Sequence, residues 1–223
     1  MNVSDAIDAR RSIRAFLDKP VDGDLLRQLL TRAARAPSGG NLQPWHLYVL
    51  GGDRMAAFRS EVRTALQRAP EGEPMEYAIY PPELDAPYRD RRWENAQALY
   101  AQLGIPREDK QQRRDWFARN FDFFGAPVGL FCFVDRQMGP PQWSDLGMYL
   151  QTLMLLLKDA GLDSCPQECW AMYPALVQQF VGAPDNLMLF TGMSIGHADP
   201  AAVVNELRTD RAPLEAFAEF QGL

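Results

Sequence analysis

The sequence is poor in the side chains on which many hydrolases and metalloenzymes depend. Its 223 residues include only two histidines, His46 and His197, and three cysteines, Cys132, Cys165 and Cys169. Two separate histidines leave little from which a histidine-based triad or a metal site could be built. An odd, low cysteine count argues against a disulfide framework and is typical of a reducing compartment. We therefore expect ordinary thiols, no metal site and a cytoplasmic protein.

Sequence signatures of several cofactor and metal sites are also missing. The chain contains no HExxH, no CxxC pair, no P-loop and no GxGxxG fingerprint. The last absence argues against a Rossmann dinucleotide site. If the protein is an enzyme, we expect a bound cofactor to supply its difficult chemistry.

Long hydrophobic runs and an excess of positive charge are absent as well. The formal net charge is −6, which gives nucleic-acid binding no electrostatic support. The longest apolar stretch, at 148–157, is interrupted by Gln151 and is too short to span a bilayer. Asp5 and Asp8 in the N-terminal stretch are not typical of a signal peptide. We expect neither a nucleic-acid partner nor a membrane partner.

The hydrophobic pattern predicts an α+β fold (α/β-like), with one sheet covered by helices on both faces. We expect Ser4 and Ser144 to be N-caps, and Gly161 to end the longest helix. Residues 70–125 are rich in proline, tyrosine and charge, and are predicted to be an insertion of loop and helix. The predicted strands are 46–50, 127–134 and 187–196; the predicted helices are 2–9, 22–35, 53–67, 88–103, 107–120, 143–162 and 173–182.

Four segments carry side chains that could converge on an anionic, flat ligand. The RRSIR segment (10–14) offers guanidinium forks and a hydroxyl, although by itself it could equally be a solvated cationic helix end. The loop at 37–45, PSGGNLQPW, combines small residues with amides, although it could be a plain connection. The remaining two are CPQE (165–168) and NELRTDRAPLE (205–215).

Taken in order, these segments resemble the nitroreductase family of FMN flavoproteins. The resemblance is carried by RRSIR, PSGGNLQPWHLYVL, the helix SDLGMYLQTLMLLLKDAGL with PQE soon after it, and the tail NELRTDRAPLEAF. It implies a nitroreductase fold with a central, mostly antiparallel sheet. It also implies a homodimer that exchanges its C-terminal arms and binds FMN at the interface. The whole of 1–223 would then be a single domain in which 70–125 forms a substrate lid.

The same resemblance implies which residues bind FMN. Arg10, Ser12, Arg14 and one of Arg208 and Arg211 would lie near the phosphate, the ribityl chain or the ring edge. Pro37, Ser38 and Gly39 would approach from the partner chain, and Asn41 would bond the pyrimidine edge. Pro166, Gln167 and Glu168 would lie over the ring. Two further expected cofactor contacts are Arg11 and Gln43.

The expected reaction transfers hydride from NAD(P)H through FMN to a flat acceptor such as a nitroaromatic or a quinone, in a ping-pong sequence. No side chain is assigned a certain catalytic role, because the flavin N5 carries the chemistry. Phe123, Phe124 and Tyr88 are the expected walls of the substrate pocket. The alternatives are enone reduction, reductive dehalogenation, flavin fragmentation or a non-catalytic FMN-binding protein.

Overall fold

The computed structural model describes residues 1–222 and has an α+β fold, as predicted. Its sheet contains β1 (His46–Leu50), β2 (Val128–Asp135), β3 (Asp163–Gln167) and β4 (Leu187–Gly196). The helices are α1 (Val3–Ala9), α2 (Gly23–Ala33), α3 (Gly52–Arg68), α4 (Tyr88–Gln102), α5 (Lys110–Ala118), α6 (Pro140–Asp159) and α7 (Pro174–Val181).

The four strands form an antiparallel sheet in the order β1-β2-β4-β3. The central strands β2 and β4 are almost entirely buried, which explains why both read as continuous apolar runs in the sequence. A register shift between Cys132 and Phe133 places a bulge in the β2–β4 pair. The expected mostly antiparallel arrangement is confirmed.

Each face of the sheet is covered by its own apolar core, so the expectation of helices on both faces is confirmed. On one face, Leu130 and Cys132 pack with apolar residues of α2 and α6. On the other face, Phe131 and Phe133 pack with α3, α7 and Trp170. The alternation of neighbouring β2 residues between the two cores follows from the two-residue period of a strand.

Three local expectations were wrong. Asn2, rather than Ser4, caps α1, since its side chain accepts a hydrogen bond from the Asp5 N–H. Helix α6 begins at Pro140 rather than near 143, because proline is well suited to the first turn of a helix. Ser144 therefore lies inside α6, where its hydroxyl donates to the Pro141 carbonyl. The sequence pattern also missed β3.

Residues 70–125, expected to be an insertion, contain α4 and α5, and the first part of this segment is fixed to the core. The Glu73 carboxylate accepts hydrogen bonds from two N–H groups in the first turn of α7. Glu76 forms a salt bridge with Arg136, and the Tyr77 hydroxyl donates to the Phe190 carbonyl on β4. At the far end of α4, Gln102 donates to the Val203 carbonyl. The insertion thus packs against both the sheet and the C-terminal segment.

The C-terminal segment leaves the sheet after β4 and exposes large apolar side chains. Beyond a short 3-10 turn at Val203–Glu206, its backbone is irregular apart from a second such turn at Leu214–Ala216. Phe217 and Phe220 are 70% and 61% exposed. Among the helices of residues 1–222, none combines the length and apolarity needed to cross a membrane.

Candidate functional site

The RRSIR segment is held between β3 and the C-terminal segment. Ser12 forms an isolated parallel bridge with Ser164 at the free edge of β3, and the Ile13 N–H donates to the Ser164 carbonyl at 3.1 Å. On the other side, the Asn205 amide accepts from the Arg14 N–H at 2.9 Å and donates to the Ala15 carbonyl at 2.8 Å. These bonds join the beginning of the chain to its end.

A cavity of about 740 Å³ lies where these two parts of the chain meet. It is mostly polar and is bounded by α1, RRSIR, α4, α6 and the segment after Asn205. Five arginines from opposite ends of the sequence line it, together with the two hydroxyl residues Ser12 and Thr209. The lining residues are Ile7, Asp8, Arg10, Arg11, Ser12, Arg14, Asn95, Gln151, Leu207, Arg208, Thr209, Asp210 and Arg211.

The charge in this cavity is only partly balanced by the protein. No salt bridge within residues 1–222 involves any of the five lining arginines. Partial burial, and then the nearby charge of Arg208, lower the pKa of Arg11. The Arg11 Nε is buried and has no hydrogen-bond partner in the described chain. An anion placed between Arg11 and Arg208 would relieve the repulsion between the two guanidiniums and would accept hydrogen bonds from their free N–H groups.

The five arginines are not equally available to a ligand. Arg211 folds back on its own segment, where its Nη1 donates to the Thr209 hydroxyl and to the carbonyls of Thr209 and Asp210. Arg14 donates to the Ser12 carbonyl at 3.3 Å. No side-chain hydrogen bond to the described protein occupies Arg10, Arg11 or Arg208. These three guanidiniums and the Ser12 hydroxyl suit a phosphate monoester such as that of FMN.

The CPQE segment begins beside the same cavity. Cys165 and Pro166 follow Ser164 along β3, so the strand leads away from RRSIR at about 3.3 Å per residue. Pro166 and Glu168 are exposed, whereas Gln167 is 2% exposed. Partial desolvation of the carboxyl, whose residue is otherwise exposed, raises the pKa of Glu168. A flat ligand whose phosphate lay between the arginines could therefore extend along the exposed side of β3.

Gln167 has a different place from the one expected. Its side chain points into the core, where its amide Nε2 donates to the Asn120 carbonyl at 2.7 Å and its Oε1 accepts from the Ser194 hydroxyl at 2.8 Å. Alternation along β3 turns it away from the exposed side that holds Pro166 and Glu168. In the described chain the Gln167 side chain stabilises the fold and is not free to bind a ring.

The loop at 37–45 does not line the arginine cavity of its own chain. It crosses the surface next to α6, with Ser38 partly buried and Gly39, Asn41 and Gln43 exposed. Pro37 is likewise exposed. The loop is therefore exposed to a second subunit, which the family resemblance implies as its place of action.

The expectation that Phe123 and Phe124 line a substrate pocket is wrong for the described chain. Both side chains are fully buried, and the Phe123 ring contacts Phe131 and Trp170 in the core. Both residues have positive φ, which turns their side chains inward just before β2. Tyr88, at the start of α4, is 63% exposed and remains accessible.

Other reactive side chains give no alternative site. Residues 192–196, GMSIG, match the letters of the GxSxG nucleophile elbow, but they lie inside β4 and Ser194 is completely buried. The three cysteines are free and buried, and burial raises the pKa of Cys132 to about 12. Over residues 1–222, no cluster of His, Cys, Asp or Glu could hold a metal ion.

Sequence reasoning missed three residues that shape the arginine cavity. Asn95 reaches it from α4 and Gln151 from α6, while Asn205 fixes two of its walls. Asn205 stood at the start of the fourth segment, but nothing in its neighbours indicated a bond to residues 14 and 15. Asn95 and Gln151 carry no sequence signal, because only the packing of distant helices brings them here.

Comparisons with known proteins identify the family of this chain. A family model described as "Nitroreductase family" matches residues 7–197. The nitrobenzene nitroreductase of Ectopseudomonas oleovorans is 38% identical over 98% of this chain and 96% of its own length. The 4-nitrobenzoate reductase of Pseudomonas putida is 36% identical over 97% of this chain and 94% of its own.

Solved structures match over the whole chain. The FMN and NADPH-dependent nitroreductase NfnB from Sphigopyxis sp. strain HMH superposes with a TM-score of 0.97 at 49% identity, and the match covers 100% of both chains. The FMN-dependent nitroreductase NfnB from Mycobacterium smegmatis, solved in complex with NADPH, gives a TM-score of 0.92 at 29% identity. That second match covers 99% of this chain and 100% of the other.

Proposed function

The chain belongs to the nitroreductase family, and we propose on that premise that it is an FMN-dependent enzyme that uses NADPH to reduce nitroaromatic compounds. The named relatives act on nitrobenzene and 4-nitrobenzoate, and the solved neighbours are FMN- and NADPH-dependent. A small aromatic acceptor is therefore the substrate class, with quinones as a further class to be tested.

The observation that carries the proposal is the set of unpaired arginines in one cavity. Arg10 and Arg11 come from the beginning of the chain and Arg208 from its end, and the guanidiniums of all three are free of protein hydrogen bonds and salt bridges in the described chain. A phosphate monoester carries close to two negative charges near neutral pH and binds guanidinium forks strongly. Ser12 adds a hydroxyl donor to this set.

The proposed enzyme is a homodimer that exchanges its C-terminal arms and works in the cytoplasm. Phe217 and Phe220 are exposed on the arm, and Leu42 and Met148 are exposed on the loop and on α6. Burial of such side chains against a second copy would contribute about 25 cal/mol per Å² of apolar surface. The three free thiols support a reducing compartment.

Within this dimer, each protomer would contribute different groups to the cofactor. Arg10, Arg11, Ser12, Arg14 and Arg208 would hold the phosphate, and Arg211 would support this wall. Pro166 and Glu168 would lie along the ring. From the second protomer, the loop would bring Pro37, Ser38, Gly39, Asn41 and Gln43 to the flavin. We propose Tyr88, in an insertion acting as a lid over a single domain, as a wall of the acceptor pocket.

Bound FMN would supply hydride transfer from NADPH to the nitro compound. The donor and the acceptor would occupy one pocket in turn. The chain's own residues would bind the phosphate, orient the ring and exclude water from the acceptor. No side chain is assigned a proton-transfer step. Specificity would then depend on the residues of 70–125 that border the ring, because the phosphate site does not contact the acceptor.

The test is an activity measurement on protein whose flavin content is known. Purified protein should be yellow, should release FMN on denaturation, and should oxidise NADPH with nitrobenzene or 4-nitrobenzoate while FMN stays intact. Menadione serves as the quinone comparison, and NADH as the alternative donor. A protein that binds no added FMN, or that consumes FMN without reducing an acceptor, would contradict the proposal.

A further inference from the structure

Asp145 is a buried carboxylate that has few partners in its own chain. It lies in the second turn of α6 and is 4% exposed. Its hydrogen bonds within residues 1–222 come from one donor, the Gly39 N–H, which lies 3.3 Å from each carboxylate oxygen. It belongs to none of the salt bridges of that part of the chain. Buried polar side chains usually have their hydrogen-bonding capacity filled, so stability alone does not account for this one.

The loop that Asp145 binds has an unusual backbone. Gly40, Asn41 and Gln43 all have positive φ, at 58°, 56° and 51°. Glycine and asparagine adopt this conformation readily, but for Gln43 it is unfavourable by about 1–2 kcal/mol. Ser38 stabilises the loop from within, since its hydroxyl accepts from the Gln43 N–H at 3.0 Å and its carbonyl accepts from the Asn41 N–H at 2.9 Å. Strain of this kind is typical of segments with a function.

Asp145 is also the polar connection between this loop and the rest of the protomer. Between residues 37 and 45 of the described chain, the other hydrogen bonds stay inside the loop. The Trp45 ring stacks on Tyr149 at a centroid distance of 4.8 Å, one helical turn beyond Asp145. Helix α6 therefore supports the loop through one hydrogen-bonded and one aromatic contact. The same helix lines the arginine cavity with Gln151.

We propose that Asp145 is a positioning residue for flavin binding, which acts through the Gly39 N–H to fix the conformation of the 37–45 loop. The inference rests on the proposed function, in which this loop reaches the flavin of the second subunit. Without the carboxylate, the strained loop relaxes into other conformations. The apparent FMN affinity is then the intrinsic affinity multiplied by the fraction of time that the loop spends in the competent conformation. The side chain itself does not touch the cofactor.

Asp145→Ala and Asp145→Asn test this role. FMN is removed from each purified variant, and the apo-protein is titrated with FMN while flavin fluorescence is followed. Asp145→Ala should raise the FMN Kd about tenfold, because it removes a charge-assisted hydrogen bond. Asp145→Asn keeps an acceptor oxygen for Gly39 and should stay within about threefold of wild type. Rescue by asparagine is not expected from a role based on charge alone.

Asp22→Ala is the matched control. Asp22 is also a carboxylate that accepts backbone N–H groups, from Asp24 at 2.8 Å and from Leu25 at 3.2 Å, but it caps the N-terminus of α2, the end of that helix away from the loop. Its loss should leave the FMN Kd unchanged. Circular dichroism and thermal unfolding establish that each variant folds. If Asp145→Ala does not fold, Asp145→Ser replaces it in the titrations. The serine hydroxyl lies one bond short of the position of the carboxylate oxygens, so the hydrogen bond from the Gly39 N–H is lost in this variant too.

A folded Asp145→Ala variant with wild-type FMN affinity overturns the inference and leaves the proposed function standing. An Asp145→Asn variant that binds FMN as weakly as Asp145→Ala also overturns it, because the charge and not the hydrogen bond would then matter. Wild-type apo-protein that fails to bind FMN overturns the proposed function itself. The three results are separable in one set of titrations.

Discussion

Individual arginines in the cavity differ in what they are already bonded to, and this decides their expected contribution. Arg208 has no protein hydrogen bond in the described chain and its charge lowers the pKa of Arg11. The Nη1 of Arg211 donates hydrogen bonds to three acceptors of its own segment. The structure therefore favours Arg208 as the phosphate ligand and gives Arg211 a supporting role.

We expect Arg208→Ala to weaken FMN binding by about 1.5–3 kcal/mol, the usual contribution of one charge-assisted hydrogen bond. Arg211→Ala should have a smaller effect, since it removes bonds within the C-terminal segment and not a ligand contact. Fluorescence titration of the apo-proteins with FMN measures both. Equal losses, or a larger loss for Arg211→Ala, would reverse the assignment.

The Glu168 carboxyl leads to a prediction about how the stability of the protein depends on pH. Burial raises the pKa of this carboxyl above its ordinary value of 4.5, so the folded protein binds the proton more tightly than the unfolded chain does. The ionised carboxylate therefore destabilises the fold at neutral pH, and this penalty is lost as the pH falls towards 4.5. Glu168→Gln should raise the Tm of the apo-protein at pH 7 by no more than about 1–2 °C, because the group is partly exposed.

Thermal unfolding between pH 4.5 and 8 checks the sign. The difference in Tm between Glu168→Gln and wild type should shrink as the pH is lowered. Glu94→Gln, which removes an exposed carboxylate from α4, controls for the general effect of net charge. A Tm difference that grows at low pH would show that Glu168 stabilises the fold through its charge.

Residue chemistry in the sequence predicted the kind of ligand but not every contact. Arginines in an acidic chain are conspicuous, and Arg10, Arg11, Arg14 and Arg208 do line one cavity. Phe123, by contrast, looks like a pocket wall in the sequence, and only its left-handed backbone explains why it points into the core. Gln167 differs from its expected place for a similar reason, because a strand that the pattern does not predict turns its side chain into the core.

At the level of elements, the pattern was most reliable where apolar residues are continuous. Strands β1, β2 and β4 were predicted within a residue or so of their observed bounds. Strand β3, DSCPQ, was missed because it is short, largely polar and interrupted by Pro166. Proline is tolerated there because β3 is an edge strand that pairs only with β4 in the described sheet.

A glycine in β4 shows how closely two elements approach each other. A Cβ placed on Gly192 would lie 2.3 Å from the Cδ1 of Trp170, whose ring is completely buried. Since Trp170 has no space into which to move, we expect Gly192→Ala to lower the free energy of unfolding by about 1–3 kcal/mol or more. Urea unfolding measures the change.

Gly23→Ala is the control for this prediction. Gly23 begins α2, and a Cβ there would lie 3.5 Å from the flexible end of Arg27, an ordinary contact. The substitution should be neutral or stabilise the protein by up to about 1 kcal/mol, through a less flexible unfolded chain. If Gly192→Ala were equally harmless, Trp170 would be more mobile than its burial indicates.

At the level of the whole molecule, the exposed arm argues for a second copy of the chain. Phe217 and Phe220 are exposed and belong to neither apolar core of the described protomer. We expect wild-type protein to sediment as a species of twice the 25.2 kDa of one chain. The double substitution Phe217→Ser and Phe220→Ser should shift the equilibrium towards monomer and lower FMN affinity, because the 37–45 loop would act from the partner.

Sedimentation equilibrium across a range of protein concentrations distinguishes the two states. Val3→Ser, which removes an exposed apolar side chain from α1, serves as the control for loss of surface hydrophobicity. A wild-type protein that is monomeric and still binds FMN tightly would remove the partner's loop from the site. No sequence pattern could have decided the oligomeric state, because the four-stranded sheet is complete without the arm.

The bond between Asn205 and residues 14–15 also determines when the enzyme can become active. The arginine cavity, the proposed phosphate site, has one wall from residues 7–14 and another from residues 207–211. A product that terminates before residue 207 therefore lacks a complete cavity, and flavin loading follows the synthesis of both walls. Cellular FMN then selectively stabilises molecules that contain both walls, by an amount that rises with the concentration of free FMN.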